Sequence, residues 1–484
     1  MRTRAHRLHT FFLTSALVIA AASTTLSPTA QAQNYASPNN FGSYYRLFSS
    51  NSPWNSRPVN PVLGNNQVKK PLLNPNWIPS ITDGTYSVGV FMGKAGDKPM
   101  TVYGRNAVGV SDPDSGKRHN IVIPRWPNDV VPSPGSDGHA DIVDTVTGII
   151  HSFYQLKYAN GSWTATMYAW TRVDGNGWGN AEHWSQGVRA SGTVPAAGLI
   201  RLHEIDDGLP NYRHALAMSL PSHTLANGIT RPSYVAPATT TDSTAALNTG
   251  VIPMGARLML PASFDANSLS TPQLRKIANT LKMYGAFVVD RNYDTAFSIY
   301  VENGSNFKIM PNGVWNNQVV ADLEKIRAAL RELVSAPKWL DGYGNTLNVN
   351  TQQSLLSMRG TWVVNGATVA GPGTFDTWQQ SVVFPNTAKR LSQVNYSTGL
   401  SQVSWAKVPA GTRMRFTAKT TGGASSRLQL KVAGVQVFDS GYLLNGNSAT
   451  FTWPSAASSL ISVAVLSESG VNMASSARGV LTVE

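Results

Sequence analysis

The sequence contains no cysteine, so disulfide bonds can neither stabilise the fold nor supply a redox centre. Charged residues are also scarce, at 13% of the chain, whereas glycine is abundant with 41 residues. That composition favours short strands and turns over long surface helices. With 484 residues, the chain can bury its own cores without cross-links, and its length suggests two or three domains.

Several motifs of well-known enzyme classes are missing. There is no Gly-x-Ser-x-Gly elbow, no Gly-x-Gly-x-x-Gly or Walker signature, and no Asp-x-Asp-x-Asp-Gly calcium loop. These absences argue against a serine hydrolase, a dinucleotide-binding enzyme and a phosphate-loop NTPase. No cofactor is expected. A metal ion remains an open alternative, although no His-x-x-x-His spacing specifies one.

Only the N-terminus carries a marked apolar segment, and it is too short to span a bilayer. Arg2, Arg4 and Arg7 precede an apolar stretch at residues 11–22, and Ala30-Gln31-Ala32 offers a small-x-small cleavage site. This pattern predicts a signal peptide over residues 1–32. We therefore expect a secreted protein, extracellular or periplasmic, without membrane insertion and without a lipid anchor, since no cysteine is present.

The chain has an excess of basic residues. Its net charge is +13, and removing the three arginines of the signal peptide leaves 36 basic and 26 acidic residues, a net charge of +10. An anionic polysaccharide suits such a protein, although solubility alone also explains the charge. Nucleic acid is not expected as a partner, because no dense Lys/Arg run occurs. A monomer is expected.

Short alternating segments separated by turn residues predict a mainly β fold with a few helices (α+β). Residues 33–50 are expected to form an extended leader. Residues 51–340 are predicted to form an antiparallel β-sandwich or jelly-roll-like domain with helices over 271–284 and 317–335. Short strands separated by turns over 350–484 predict a second β-sandwich, an accessory module that is a candidate for binding carbohydrate.

Three consecutive strands stand at the centre of the first domain, over residues 139–144, 149–158 and 163–173. The turn at Thr147-Gly148 sets Asp144 opposite Ile149 and Ile142 opposite His151. By this register His139 lies near Tyr154. Alternation along the first strand puts His139 and Asp141 on one face, about 7 Å apart.

Seven of the nine histidines fall between His119 and His223, and histidine is the side chain best suited to proton transfer near neutral pH. We therefore expect an active centre in this window. The candidate catalytic residues are His139, Asp141, Tyr154, Glu204 and His214. The candidate substrate-binding residues are His151, Gln155, Trp178, His183, Trp184, Arg189 and Arg201. Each histidine has an alternative interpretation as a buried structural residue, and the tryptophans as packing anchors.

Several short motifs resemble those of a family of exported bacterial proteins. They are Ser52-Pro53-Trp54-Asn55, Gly135-Ser136-Asp137-Gly138-His139, Phe153-Tyr154-Gln155, Arg189-Ala190-Ser191-Gly192, Gly198-Leu199-Ile200-Arg201, His214-Ala215-Leu216, and Tyr284-Gly285 with Val288-Val289-Asp290. The resemblance covers about residues 50–305. It implies secretion and polysaccharide contact, with catalysis left open, and members commonly carry appended sandwich modules. The family strand reads Tyr-Asp-Phe-Trp-Gln where this chain has Ser152 in place of the acid.

Three functions remain open at this point. The histidines, arginines and basic charge favour a polysaccharide lyase, which cleaves a uronate polymer by β-elimination. A glycoside hydrolase would need a pair of carboxylates, and no pair stands out among the candidate acids. A non-catalytic polysaccharide- or envelope-binding protein would leave the histidines structural.

Overall fold

The computed structural model describes residues 34–105, 108–113, 118–179, 185–229, 231–347, 356–357, 363–365, 374–376, 381–394, 404–405 and 408–484. Over these residues the chain is mainly β with two α-helices, which confirms the predicted class. The predicted signal peptide lies outside the described residues. No helix in the described part of the chain is long and apolar enough to cross a membrane.

Residues 34–50 contain turns and bends rather than the predicted extended backbone. Phe48 is fully buried in the main core of the protein, at 1% exposure. The Asn55 side chain donates hydrogen bonds to the Leu47 and Ser49 carbonyls, both at 2.9 Å. These contacts hold the segment against the body of the protein. They also satisfy backbone carbonyl groups that would otherwise be buried without a hydrogen bond.

Thirteen strands precede residue 173, and β4 to β13 of these form the two sheets that contain the predicted central hairpins. They are β1 (Arg57–Val59), β2 (Val62–Gln67), β3 (Ser80–Thr82), β4 (Gly89–Gly93), β5 (Met100–Gly104), β6 (Val110–Ser111), β7 (Arg118–His119), β8 (Ile121–Ile123), β9 (Ala140–Asp144), β10 (Ile149–Tyr154), β11 (Lys157–Ala159), β12 (Ser162–Ala165) and β13 (Met167–Arg172).

A six-stranded sheet has the order β4-β9-β10-β13-β6-β7, and a four-stranded sheet has the order β11-β12-β5-β8. Ile149 pairs with Asp144 and His151 with Ile142, so the predicted register of the β9–β10 hairpin is confirmed. One face of the six-stranded sheet packs Ile142 and Phe153 into a core of its own. The other face packs Val143 into the main core, so the sheet is buried on both sides.

The pairing in these sheets is mixed rather than wholly antiparallel. Strands β9, β10 and β13 form the predicted antiparallel meander. However, β4 runs parallel to β9, β5 to β12 and β6 to β13. Parallel neighbours require long connections, and alternation within a strand does not reveal them.

The next part of the chain contains both α-helices and the strands that complete a seven-stranded sheet of order β2-β18-β15-β16-β14-β17-β3 and a three-stranded sheet of order β1-β19-β20. Their bounds are β14 (Leu216–Pro221), β15 (Arg257–Met259), α1 (Pro272–Met283), β16 (Ala286–Asn292), β17 (Ser298–Tyr300), α2 (Asn317–Ala329), β18 (Arg331–Ser335), β19 (Lys338–Leu340) and β20 (Thr346–Leu347). Strands β14 and β16 are parallel neighbours, so their carboxyl ends meet at one edge of the sheet.

Helix α1 forms where the sequence predicts it. The Thr271 hydroxyl accepts a hydrogen bond from the Leu274 amide at 3.2 Å, and Pro272 occupies the first helical position. Gly285, at φ 72°, follows the helix in the left-handed conformation that favours glycine. Leu274, Ile277 and Leu281 are fully buried.

The prediction of a second helix over 317–335 is too long. Helix α2 ends at Ala329, and residues 331–335 form β18 instead, between β2 and β15. In that position the backbone of β18 is hydrogen-bonded on both sides, and tertiary pairing overrides the helical spacing of Leu330 and Leu333.

The C-terminal strands confirm the predicted second β-sandwich. They are β21 (Leu356–Ser357), β22 (Val363–Asn365), β23 (Thr374–Asp376), β24 (Ser381–Phe384), β25 (Ser392–Val394), β26 (Ser404–Trp405), β27 (Arg413–Thr421), β28 (Ser425–Val432), β29 (Val435–Asp439), β30 (Ser448–Thr452), β31 (Ile461–Glu468) and β32 (Ser475–Val483). Two five-stranded antiparallel sheets, β22-β25-β31-β28-β29 and β23-β24-β32-β27-β30, share a core that includes Phe416, Leu428 and Val463. The predicted boundary near residue 350 lies outside the described residues.

Candidate functional site

A cavity of about 270 Å³ opens beside the seven-stranded sheet. Its wall is built by residues 38–55, by the segment from Ala196 to Asp207, and by Arg213 and His214. We call it the arginine cavity, after the side chains of Arg46, Arg201 and Arg213 that line it. Its volume suits a single sugar-sized ligand.

One tryptophan, Trp54, lines this cavity and packs against a second, Trp178. Trp54 stacks on Trp178 with ring centroids 5.0 Å apart and planes within 1° of parallel, and Phe287 meets both rings edge-on. Both tryptophans are 1% exposed. Gly198, at φ 68°, lies so close to the Trp54 ring that a Cβ there would collide with it. Trp178, predicted to bind substrate, is therefore a core residue with no face open to a sugar.

Arg46 and Arg213 bring two positive charges to the cavity. Burial, and then the charge of Arg213, lower the pKa of the Arg46 guanidinium. Arg46 lies over the Phe41 ring at 3.8 Å, and its guanidinium reaches the Asn39 carbonyl. Within the described residues, no hydrogen bond or ion pair engages the Arg213 guanidinium. Two like charges thus act on each other, and among the described residues neither forms an ion pair with a carboxylate.

The two acids that line the cavity already have cationic partners. Glu204 Oε2 lies 3.1 Å from His214 Nε2, and Asp207 Oδ1 lies 2.5 Å from Lys276 Nζ. Burial alone would raise the pKa of Glu204, but the charge and hydrogen bond of His214 outweigh it and lower the pKa to about 2. The charge of Glu204 still favours the Arg46 cation, but neither acid forms an ion pair with Arg46 or Arg213.

His214 was predicted to be catalytic, and the structure places it in an ion pair. Its Nδ1 faces the Ala215 carbonyl at 2.9 Å while Nε2 faces Glu204. Both partners only accept hydrogen bonds, so the ring satisfies them best as a doubly protonated imidazolium. Burial opposes that charge, but Glu204 and the carbonyl outweigh it and raise the pKa of His214. A ring held as a cation cannot take a proton.

His203 was not among the residues predicted from the sequence, and its pKa is shifted in the opposite direction to that of His214. Its Nε2 donates to the Tyr45 carbonyl at 3.0 Å, and the Tyr45 ring meets its edge at 5.2 Å. Burial lowers the pKa of His203, with the charge of Glu204 opposing. The ring is therefore neutral at neutral pH, with its proton on Nε2 and its lone pair on Nδ1. This is the state that a general base requires.

Arg201 lines the cavity, but most of its guanidinium group is hydrogen-bonded to other residues. Its Nε donates to Glu302 at 2.7 Å and its Nη1 to the Tyr44 carbonyl at 2.9 Å. Its Nη2 is buried and has no partner among the described residues. The predicted binding role of Arg201 is thus reduced to the N–H donors of Nη2.

Asp141, predicted to be catalytic, is fully buried behind the cavity wall. Its two oxygens accept from the Ser152 hydroxyl and from the Ala196 amide, each at 2.7 Å. Burial raises the pKa of Asp141 to about 7 despite these hydrogen bonds. The carboxyl group holds β9, β10 and the cavity wall together and faces no open space.

Four other predicted residues gather away from the cavity. His139, Tyr154 and Arg189 join Asp137 and Asp290 in what we call the acidic cluster. The His139 and Tyr154 rings lie 5.6 Å apart, as the strand register predicts. His139 Nδ1 donates to the Phe153 carbonyl at 3.3 Å, and burial, followed by the charge of Arg189, lowers its pKa to about 3.

Gln155 is the fourth of these residues, and its Oε1 accepts a hydrogen bond from the Thr166 hydroxyl at 2.7 Å. His151 lies on the face of β10 opposite to that of Tyr154, with Nδ1 2.8 Å from the Tyr168 hydroxyl, and burial lowers its pKa to about 4. His183 and Trp184 lie outside the described residues.

The predicted residues therefore fall into separate groups. Arg201, Glu204 and His214 line the arginine cavity, whereas His139 and Gln155 do not. Sequence reasoning missed Arg46, His203, Asp137 and Asp290. Asp137 and Asp290 stood in motifs of the resembled family, which was the available signal, but Arg46 lies in a segment without a motif. In the described chain, no three His, Asp or Glu side chains are grouped in a way that could hold a metal ion.

No family model matches the chain, and no curated protein matches it. Among solved structures, the Glycosylation Associate Protein (Gap123) complex from Streptococcus agalactiae aligns at 13% identity over 26% of this chain and 44% of that chain, with a TM-score of 0.17. The CBM36-1 domain of a multidomain xylanase from the hindgut metagenome of Trinervitermes trinervoides aligns at 10% identity over 28% of this chain and 96% of that chain, with a TM-score of 0.13. This chain spans less than half the length of the Gap123 chain. TM-scores this low do not indicate a common fold, so function rests on the side chains.

Proposed function

We propose that the protein is an exported polysaccharide lyase that binds a uronate unit of an anionic polysaccharide in the arginine cavity. The observation that carries this proposal is that one cavity is lined by two arginines that form no ion pair among the described residues and by a neutral histidine. The basic net charge of the mature chain supports an anionic polymer. The C-terminal β-sandwich is proposed to be an accessory module that holds the polymer near the site.

The arginines would neutralise the uronate carboxylate. Arg46 and Arg213 are close enough for the charge of one to lower the pKa of the other, so an anion between them relieves that repulsion. A guanidinium also matches a carboxylate in shape and hydrogen-bond donors. Neutralising the carboxylate acidifies the neighbouring C5–H of the sugar, because the charge that develops on proton removal spreads onto the carboxylate.

His203 would serve as the base. Its Nδ1 lone pair takes the C5 proton, and the electrons of the C5–H bond form the C4=C5 double bond while the C4–O glycosidic bond breaks. The leaving oxygen then receives a proton, which the newly formed His203 imidazolium can supply. The reaction consumes no water and yields one unsaturated uronate end and one ordinary sugar end. His203 is exposed enough to meet a polymer from solvent.

The test is the rise in ultraviolet absorbance of the unsaturated uronate during incubation with alginate, pectate, glucuronan and hyaluronan. We expect His203→Gln to lower turnover at least about 100-fold, as removal of a general base does. Arg213→Gln should chiefly raise KM. His119→Gln and Arg118→Gln, on the exposed strand β7, are matched controls and should behave as wild type.

No absorbance change on any of the four polymers would overturn the proposal, as would full activity in folded His203→Gln. New reducing ends on these polymers without absorbance would indicate hydrolysis and would also exclude elimination.

A further inference from the structure

One wall of the arginine cavity continues to an exposed aromatic ring. Arg46, which lines the cavity, has its guanidinium carbon 3.8 Å from the centroid of the Phe41 ring. The Phe41 ring in turn meets the Tyr343 ring edge-on, with centroids 4.9 Å apart and planes at 87°. The Arg46 guanidinium carbon therefore lies within 8.7 Å of the Tyr343 ring centroid, the sum of these two distances.

The Tyr343 ring is open to solvent. The residue is 65% exposed, and its neighbours Gly342 and Gly344 have no side chain that could cover it. At that exposure, a ring in edge contact with one other ring keeps at least one of its faces uncovered. Such a face is available to a ligand that approaches the cavity from solvent.

Hydrogen bonds and close packing fix the turn that carries Tyr343 against the cavity wall. The Gly342 amide donates to the Ser50 carbonyl at 2.8 Å, and Ser50 belongs to the segment that builds one wall of the cavity. A Cβ at Gly342 would lie only 2.1 Å from the Phe41 ring, so the turn needs glycine there. The Asp341 side chain accepts a hydrogen bond from the Tyr343 amide at 3.0 Å. A ring held in place in this way loses little conformational freedom when a ligand binds.

A sugar ring fits this place better than a protein partner. The exposed apolar surface of the turn is one ring between two glycines, whereas a stable protein interface buries about 800 Å² on each partner. Charged groups of both signs surround it: Arg46 behind Phe41, Asp341 in the turn, and Arg57, which pairs with Leu340 just before the turn. A pyranose offers an apolar face of C–H groups and a rim of hydroxyl groups, which matches an aromatic ring with polar surroundings.

We propose that the Tyr343 ring is a second sugar subsite, on which a polymer unit next to the uronate in the arginine cavity stacks. This inference rests on the proposed function, because it starts from a uronate bound in the cavity. The cavity has room for a single sugar unit, so the neighbouring unit of a polymer lies outside it, and two linked sugar rings span the distance from Arg46 to Tyr343.

Stacking on Tyr343 contributes to binding and not to proton transfer. The same contact is present in the bound substrate and in the transition state, so its loss should raise KM and leave kcat unchanged. A ligand of one sugar unit fills the cavity without reaching the ring, whereas a longer oligosaccharide reaches both. The subsite therefore predicts that binding of short and long ligands responds differently to the loss of the ring.

The test measures binding without turnover, by titration calorimetry on the full-length mature protein carrying His203→Gln. The ligands are single uronic acids and the corresponding trimers prepared from pectate, alginate and glucuronan. Adding Tyr343→Ala should weaken binding of a trimer about 10-fold and that of a single uronic acid less than about 2-fold. Tyr343→Phe should bind trimers like its parent, because it keeps the ring. In the protein with His203 intact, Tyr343→Ala should raise KM for the polymer about 10-fold with kcat unchanged.

Tyr86→Ala, at a tyrosine that is 55% exposed and does not line the cavity, is the matched control and should bind every ligand like its parent. The inference is overturned if Tyr343→Ala binds trimers as tightly as its parent, if it loses single uronic acids and trimers equally, or if Tyr343→Phe loses as much as Tyr343→Ala. Absence of binding to every uronate would overturn this inference and the proposed function together. Trimer binding that depends on the ring, without an absorbance change on any polymer, would overturn elimination and support the subsite.

Discussion

Glu204 and His214 form an ion pair in the wall of the arginine cavity, with Oε2 and Nε2 3.1 Å apart. Their side chains are 14% and 15% exposed, so the pair is largely removed from water. The pair orients the wall next to His203 and neutralises a charge that would otherwise compete with a bound anion. Its stability consequences can be measured without knowing the substrate.

Replacing His214 with glutamine should destabilise the protein most between about pH 4.5 and 6.5. The pKa of His214 is raised above 6.5, so its contribution is complete below that pH and is lost as pH rises through the raised pKa. The pKa of Glu204 is lowered from 4.5 to about 2, so its contribution is lost as pH falls through that range. The maximal loss should be about 3 kcal/mol, measured by urea unfolding across pH. A difference from wild type that does not change with pH, when His119→Gln shows none, would contradict the ion pair.

Asp141→Asn should stabilise the protein at high pH and have little effect at low pH. The pKa of Asp141 is about 7 in the folded chain and 3.8 as its ordinary value, so the folded state binds the extra proton between these values. Wild-type stability therefore falls as pH rises from about 4 to 7, whereas the asparagine variant does not titrate. Asparagine can keep both hydrogen bonds, accepting from Ala196 and donating to Ser152.

The gain for Asp141→Asn should reach roughly 2 to 4 kcal/mol above pH 7 by urea unfolding, since each unit of pKa shift corresponds to about 1.4 kcal/mol. Loss of lyase activity in a stable Asp141→Asn protein would instead restore Asp141 as a catalytic candidate.

Trp178→Ala should cost about 3 to 5 kcal/mol of stability, because it leaves a cavity between Trp54 and Phe287. Trp77→Ala should cost less than about 1 kcal/mol, since the Trp77 side chain is already 42% exposed. Denaturant unfolding of the two variants is the measurement. If Trp178→Ala were as stable as wild type and had lost only sugar binding, Trp178 would be a binding residue rather than a core residue.

Local features of the fold could be predicted from the sequence because they depend on neighbouring residues. Thr271, Pro272 and Gly285 mark the ends of α1, and the turn at residues 145–148 sets the β9–β10 register. The end of α2 could not be predicted, since residues 331–335 form a strand only because β2 and β15 lie on either side. The parallel strand pairs could not be predicted either, because the paired strands are distant in the chain.

The candidate site was predicted only in part. The sequence pointed to His139 and His214 as catalytic residues of one centre, but they lie in different places: His139 is buried at 2% exposure, and His214 is held in an ion pair with Glu204. His203, next to Glu204, was not predicted. The proximity of Arg46 and Arg213 could not be predicted either, because the two residues are distant in the chain. Histidine density along a sequence indicates a region, whereas burial and hydrogen-bond partners decide which ring can carry a proton.

The sequence by itself determined the mainly β class, the C-terminal sandwich, helix α1 and the register of the central hairpin, because backbone preference and side-chain alternation act over a few residues. Only the tertiary structure decided which charges are neutralised and which are not. Glu204 meets His214 and Asp290 meets Arg189, while Arg213 meets no carboxylate in the described chain. Electrostatic interaction depends on distance in space and on exclusion of water, and neither is written along the chain.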